Sequence, residues 1–348
     1  MTGRGAAAEK QTFIPLPRWA IVIGRFQTQV ILGQRIETMA NHSLKFKLEY
    51  AALCLVARLL RGMPRDLALL TGNRLGQLAR WLLPKRRRLA EANLQHAFPQ
   101  FSHKQIAALA RANFLHVGVS VAEMLRLDLF DVAKGDVERY YDLEIEELRK
   151  AHELGRGVIL LSGHFGFWEM GIFPLTQQGY QVDLVAKPMK NPLVDAYFEK
   201  LRKAHAHEVI NSRNGARQIL RALQQGHLVA ILLDQHISPP GSVPVDFFGR
   251  KAYTTTAITN LAMRYQIPVV PIFCQRLKTN RYRLWAEPML LLEGEGEDAL
   301  QANTQLLTDR IETGIRNDIT QWFWMHKRWR TQKKRAGEAK GPRREAKK

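Results

Sequence analysis

From Leu44 onward, apolar positions recur at helical spacing. Leu48, Ala52, Leu55, Val56 and Leu59 repeat together, with Lys45, Lys47, Arg58 and Arg61 on other faces. The pattern returns over Leu67–Leu83 around Arg74 and Arg80, then breaks at Pro84 ahead of Lys85-Arg86-Arg87-Arg88. Proline stops a helix because it lacks an amide donor and its ring meets the preceding turn. The spacing predicts a helical region from Leu44 to about Tyr141. A basic amphipathic helix with an aromatic edge, here Trp81, fits a bilayer interface; it fits a core-packed helix with a solvated charged face equally well.

Beyond Tyr141 the pattern changes. Short apolar runs at Val158–Leu161, Val182–Ala186, Glu208–Ile210, Leu228–Leu233, Val269–Cys274 and Tyr282–Trp285 read as strands. Helical stretches lie near Phe167–Gln178, Pro192–Ala204, Gly215–Gln225 and Thr255–Tyr265, with a last helix over roughly Ala299–Arg316. Alternation of this kind predicts an α/β fold on a mainly parallel sheet. The last two strands have no helix between them, so an antiparallel hairpin is expected at one edge. Four segments follow: a flexible or mis-called extension (1–41), a helical membrane-associating region (42–150), an α/β core (151–325) and a basic disordered tail (326–348). The extension shows little periodicity and no convincing signal peptide, and Met39 is a candidate start.

The 348 residues carry 52 Lys and Arg against 32 Asp and Glu, a formal net charge of +20. Such an excess favours an anionic partner: nucleic acid, an acidic carrier protein or an anionic membrane. Two cysteines, Cys54 and Cys274, both in apolar segments, make no disulfide framework. No apolar run reaches the roughly 18 residues of a spanning helix, so a membrane role is expected at the interface. His205, His207, His227 and His236 show no metal-ligand spacing, and no metal is assigned.

The chemistry concentrates in Gly163-His164-Phe165-Gly166-Phe167-Trp168-Glu169, directly after the first strand. The C-terminal edge of an open α/β sheet is where ligands bind. On a continuous helix His164 and Glu169 would point roughly 140° apart. They meet only if His164 sits in the turn, Gly166 lets the chain bend and Glu169 opens the following helix. A carboxylate on one imidazole nitrogen would leave the other to accept a proton, as in a general base. A capping or packing histidine, with Glu169 favoured by the helix dipole, is the plainer alternative.

These residues resemble the His-four-residues-Asp/Glu motif of glycerolipid acyltransferases. The string Ser162–Glu169 is similar to that of the bacterial lipid A late acyltransferases. Further blocks follow in that family's order. They are Lys187-Pro188 with Asn191-Pro192; Asn211-Ser-Arg213 with Gly215; and Asp234-Gln235 with Val245–Gly249 and Thr254–Thr256. Asn93–Pro99 resembles its helical region and Gln321–Trp329 its closing segment, so the likeness spans roughly Leu44–Arg330. Phe167 departs from the pattern, standing where a polar residue such as Asn is common.

The resemblance implies a glycerolipid-acyltransferase-like fold with an N-terminal membrane-docking region, peripheral to the cytoplasmic face of the bacterial inner membrane. It implies acyl transfer from an acyl-carrier-protein or coenzyme A thioester to a hydroxyl of a phosphorylated glycolipid, most simply a lipid A precursor. No cofactor and no covalent intermediate are expected, and nucleic acid is not an expected partner. His164 and Glu169 are the catalytic pair. Lys187, Arg213, Asp234, Thr254 and Thr255 are expected at the substrate, and Phe165, Phe167, Trp168, Phe247 and Phe248 along the acyl chain, the last two in a long loop. Asp234 has three readings: it orders that loop, orients Arg213 or caps a turn. Acylation of another glycolipid, such as a phosphatidylinositol mannoside or an ornithine-type lipid, is the nearest alternative. Nucleic-acid binding suits the charge, but no RNP, helix-turn-helix or zinc signature is present. A non-catalytic membrane adaptor would fit a chain that had lost His164 or Glu169; both are there.

Overall fold

Four helices form where the spacing predicts them: α1 (Leu44–Gly62), α2 (Arg65–Leu82), α3 (Pro84–Ala97) and α4 (His103–Met124). The computed structural model describes residues 42–330, and the expectations for 1–41 and 331–348 lie outside them. The chain divides into two compact units at Ala52/Leu53. Of the first, the described residues hold little beyond the opening turns of α1; everything below concerns the second.

Local chemistry sets the breaks. Pro84 takes the first position of α3, where its missing N–H and fixed φ cost nothing. Ser102 and Gln105 form a reciprocal capping box at the start of α4. α2 lies on α4 through Gly72, Gly76 and Gly118. A Cβ on Gly118 would sit 2.3 Å from the Gly72 carbonyl oxygen, so the backbones touch where no side chain intervenes. That contact faces α2 inward along Ala68, Leu69, Gly72 and Gly76, and leaves Leu67, Leu70, Leu78, Trp81 and Leu82 exposed.

The rest is α/β. The helices α5 (Asp136–Tyr140), α6 (Glu146–His152), α7 (Phe173–Gln177), α8 (Pro192–Arg202), α9 (Ala216–Gln224), α10 (Ala257–Tyr265) and α11 (Gly296–Arg316) interleave with nine strands among the described residues. Seven of these, β1 (Tyr141–Glu144), β2 (Val158–Ser162), β3 (Val182–Ala186), β4 (Glu208–Asn211), β5 (Leu228–Leu232), β8 (Val269–Arg276) and β9 (Tyr282–Ala286), form one sheet. Its order is β1-β9-β8-β2-β5-β3-β4. The block β8-β2-β5-β3-β4 is parallel and β9 runs against β8 as an antiparallel hairpin, but β1, parallel to β9, takes the edge expected for that hairpin. Alternate residues of β2 point to opposite faces: Ile159 and Leu161 join one core cluster, Val158 and Leu160 the other. The first cluster takes α3, α4 and α11; the second takes α5 to α8.

Three further expectations change. The long loop after β5 contains β6 (Ser242–Phe247) and β7 (Arg250–Thr255), an antiparallel hairpin closed by Phe248-Gly249. Both turn residues have positive φ, +52° and +69°, as a tight hairpin of this twist requires. The predicted helix Phe167–Gln178 is only a 3₁₀ turn at Trp168–Met170 followed by α7. The tail expected from residue 326 begins inside the core instead, with Arg328 0% and Trp329 5% exposed. Among the described residues, no helix is long and apolar enough to cross a membrane.

Gly118→Val should lower stability by roughly 2–3 kcal/mol, because an overpacked helix crossing must separate; a thermal melt within a degree of the parent would contradict the close approach.

Candidate active site

β2 and β5 are neighbours in parallel register, Ser162 opposite Leu232. Two residues further along each chain stand His164 and Asp234, so the register itself brings them level. The contact is tight on both sides of the histidine. Its backbone N–H donates to Asp234 Oδ2 at 2.7 Å, and its Nδ1–H donates to Oδ1 at 2.7 Å. Trp322 Nε1–H donates to Oδ2 at 2.6 Å. The Asp234 side chain is 2% exposed and the imidazole 19%.

The electrostatics follow from that geometry. Burial by itself would push the Asp234 carboxyl up; the imidazole charge and the three hydrogen bonds reverse this and hold it well below the usual carboxylate range. Burial likewise pushes His164 down, but the charge of Asp234, its hydrogen bond and the more distant charge of Glu169 outweigh it. The imidazole pKa lies above its ordinary value. With Nδ1 committed to Asp234, Nε2 carries the lone pair and accepts from Gln235 Nε2 at 3.0 Å. The ring of Trp168 leans on the imidazole, centroid to centroid 5.0 Å. The ring therefore presents one basic nitrogen, covered by the Gln235 amide.

The turn holding His164 is fixed from three directions. Gly166 N–H donates to Gln321 O at 3.1 Å, and Phe323 N–H donates to His164 O at 3.0 Å. Phe167 N–H donates to Cys274 O at 2.9 Å. His116 Nε2–H donates to the Gly166 carbonyl at 3.0 Å; burial, then Arg276, push this imidazole down to about 3, so it is neutral. Gly166 has φ +61°, and a Cβ there would lie 1.8 Å from Cys274 O. Only glycine fits. The backbone amides of His164, Phe165, Gly166 and Phe167 are all engaged, so none is free to receive an oxyanion. The Cys274 thiol is buried in β8, and burial raises its pKa strongly, which removes it as a nucleophile.

A family model described as bacterial lipid A biosynthesis acyltransferase matches residues 41–331. The chain belongs to this family. It is therefore an acyltransferase. It is 26% identical over 274 residues to the lipid A biosynthesis palmitoleoyltransferase of Escherichia coli K12, covering 77% of this chain and 87% of that one. It is 24% identical to the lauroyltransferase of the same organism, over 74% of this chain and 83% of that one. A phosphatidylinositol mannoside acyltransferase of Mycolicibacterium smegmatis is 24% identical over 54% of this chain and 61% of its own length.

Within this acyltransferase, Glu169 does not touch His164. Its carboxylate takes a bidentate pair of bonds from Arg202, Nη2 at 2.8 Å and Nε at 3.0 Å. The expected orienter is thus tied to α8, and Asp234, 70 positions along from His164, does the orienting. Nor does Asp234 reach for the exposed Arg213. Lys187 follows β3 and Arg213 follows β4, both exposed on the edge that carries His164 and Asp234. Thr254 is buried, with its hydroxyl bonded to Arg328, which also donates to Gln235 O and Tyr253 O at 3.0 and 2.9 Å. Thr254 thus supports the Gln235 loop from behind, and the Thr255 hydroxyl accepts from Ala257 N–H at the start of α10. Phe165, Phe247 and Phe248 lie in one core cluster and Phe167 in the other, across the sheet. These four cannot line one channel; only Trp168 of the aromatic set meets the imidazole. Trp322, Arg328, His116 and Arg202 were not picked out as site residues. The aromatic density of the closing segment was the available signal for the first two.

Asp234→Asn should lower kcat by roughly 10² or more, since the imidazole loses its fixed tautomer. Because the carboxylate raises the imidazole pKa, and only the deprotonated ring can take a proton, the acid limb of the pH–rate profile should move to lower pH in this variant. An unmoved acid limb would detach Asp234 from the base.

Proposed function

We propose that this acyltransferase moves a fatty acyl chain from an acyl-carrier-protein thioester to a hydroxyl of a phosphorylated glycolipid, a lipid A precursor, with His164 as general base. The observation that carries this is the imidazole whose Nδ1–H is held by buried Asp234 while Nε2 accepts from the displaceable Gln235 amide. The acceptor hydroxyl takes the place of the Gln235 amide at Nε2. Its proton passes to Nε2 as its oxygen attacks the thioester carbonyl. The tetrahedral intermediate then collapses, the C–S bond breaks, and the departing thiolate takes the proton back from the imidazolium. The step balances with no cofactor and no acyl-enzyme. With the turn amides occupied, side-chain donors face the developing oxyanion, and the displaced Gln235 amide is the nearest of them.

The acceptor assignment rests on charge and on relatives. Along the parallel block the order β2-β5-β3-β4 sets His164, Asp234, Lys187 and Arg213 in sequence on one edge. At about 4.8 Å between strands, Arg213 stands on the order of 14 Å from the base, a reach suited to a phosphate on a disaccharide. Relatives named for lipid A biosynthesis cover most of the chain, whereas the mannoside-directed relative covers about half, which favours the lipid A reading. An acidic carrier suits the net charge of +20. Glu169 serves the base by fixing Arg202 and by its field on the imidazolium.

The site works at a membrane surface in this reading. The exposed Leu67, Leu70, Leu78, Trp81 and Leu82 of α2, followed by exposed Lys85, Arg86 and Arg88, form an apolar face with a basic rim. Apolar area enters the acyl boundary and the rim meets anionic headgroups.

His164→Ala should lose 10²–10⁴-fold in kcat, approximately the worth of general-base catalysis, in an assay of acyl-carrier-protein-dependent transfer to a lipid A precursor. Activity near the parent's would remove His164 from the chemistry. Replacing Leu78 and Trp81 together by Asp should weaken binding to anionic vesicles at least about tenfold. Roughly 0.5 M salt should release the parent protein by screening the rim, and retention at that salt would assign the docking to deep apolar insertion instead.

A further inference from the structure

At the sheet edge opposite His164, three strands begin side by side and each brings a metal-ligating side chain to one point. Asp183 is the second residue of β3, which lies between β5 and β4; His207 immediately precedes β4 and His227 immediately precedes β5. His207 Nδ1 lies 2.9 Å from Asp183 Oδ1, and His227 Nδ1 lies 2.8 Å from Oδ2. The two rings are 4.7 Å apart. One donor atom from each of the three residues lies within 4.8 Å of the others.

The carboxylate is the informative member. Asp183 is 2% exposed, and among the described residues its ion-pair partners are these two imidazoles alone, with no Lys or Arg in reach. A buried carboxylate demands a compensating positive charge, and a cation held by all three donors would place that charge directly on it. Two imidazoles and a carboxylate are the donor set of zinc-class cations, and a poor one for Mg²⁺, which prefers oxygen ligands in an octahedron.

We propose that Asp183, His207 and His227 bind one divalent cation of the zinc class. On a tetrahedron of about 2.1 Å radius the donors stand roughly 3.4 Å apart, so the trio needs only side-chain adjustment. The His207 side chain is 49% exposed, which supplies that freedom, an entry path and a fourth position for water. Each ring would bind through Nδ1 as a neutral imidazole with its proton on Nε2. The cation is structural. It lies at the opposite edge from His164 and clamps the start of β4, a four-residue edge strand, to β3 and β5. The far ends of β3 and β4 carry Lys187 and Arg213, so the trio stands a full strand's length from the basic flank of the site. Donors 24 and 44 positions from Asp183 leave no spacing motif in the sequence, which is why none was expected there.

The test uses the full chain, stripped with a chelator and then titrated separately with Zn²⁺ and Mg²⁺, reading bound metal per chain and the thermal midpoint. The expected result is one Zn²⁺ per chain, a melting temperature raised by several degrees, and no response to Mg²⁺. His207→Ala changes only the half-exposed ligand and should fold normally; it should lose at least about tenfold in Zn²⁺ affinity and the thermal shift, while transfer activity stays at the parent's level. His227→Gln should behave alike in metal binding. If His207→Ala takes up Zn²⁺ as the parent does, or if the parent's melting is indifferent to Zn²⁺, the trio is a hydrogen-bonded pin and the proposal is overturned.

Discussion

A single buried carboxylate, Asp234, organises the active end of this molecule. Its charge is out of water, which is unfavourable unless every lone pair finds a donor. Here the donors are the backbone and ring of His164 and the indole of Trp322. The consequences run outward from there. The histidine is fixed in one tautomer because the carboxylate can only accept. Trp322 is fixed by the same oxygen, and it belongs to the closing segment that pairs with the His164 turn through Gln321 and Phe323. Asn113 and Asn93 then tie that segment to α4 and α3 by donating to the carbonyls of Thr320, Trp322, Trp324 and His326. The helical region and the sheet thus meet around His164, and the last described residues help to build that site.

Arg328 completes this arrangement at some electrostatic expense. Burial lowers its pKa to about 10, against the favourable charge of Asp234, so the guanidinium remains charged at neutral pH. Its bonds to the carbonyls of Gln235 and Tyr253 and to the Thr254 hydroxyl lock the strand end after β5 onto the β6–β7 hairpin. Gln235 is therefore presented to Nε2 by a rigid support, as the proposed proton transfer at that nitrogen would demand. His326 lies close by, pushed down to about 4 by burial, and accepts from His236 N–H as a neutral ring. It adds no competing positive charge beside His164.

The sheet was legible because buried parallel strands are continuous apolar runs, and the runs at Val158, Val182, Leu228 and Val269 stand out against their surroundings. The strands that escaped notice lack that mark. Tyr141–Glu144 is four residues at an edge, and the β6–β7 hairpin turns on Phe248-Gly249, where a turn of positive φ normally announces itself with Asn or Asp. Phe248 tolerates φ +52° because its ring is buried against Phe98, Trp322 and Trp324. Composition alone points to a solvated tail at Lys327, Arg328 and Arg330; the carbonyls of Gln235 and Tyr253 receive Arg328 instead. The aromatic residues failed as channel markers for the opposite reason. Large apolar side chains next to a site are more often its foundation than its lining.

The pairing of Glu169 with Arg202 shows how proximity along a chain misleads. His164 and Glu169 are five residues apart, and a carboxylate at that distance invites assignment to the imidazole. For Glu169 to reach it, the carboxylate must leave Arg202 in a setting where both side chains are only 14% and 11% exposed. Stripping one partner from such a pair costs about 3–5 kcal/mol, whereas a hydrogen bond to a charged group returns about 1.5–3 kcal/mol. The exchange is unfavourable, and Nδ1 is already occupied by a carboxylate that needs no rearrangement. Glu169 therefore acts at a distance. Its charge, offset in part by Arg202, still favours the imidazolium that the proposed mechanism forms. An orienter and a field source have been separated onto two acids, one delivered by the register of β2 with β5 and the other by the turn itself.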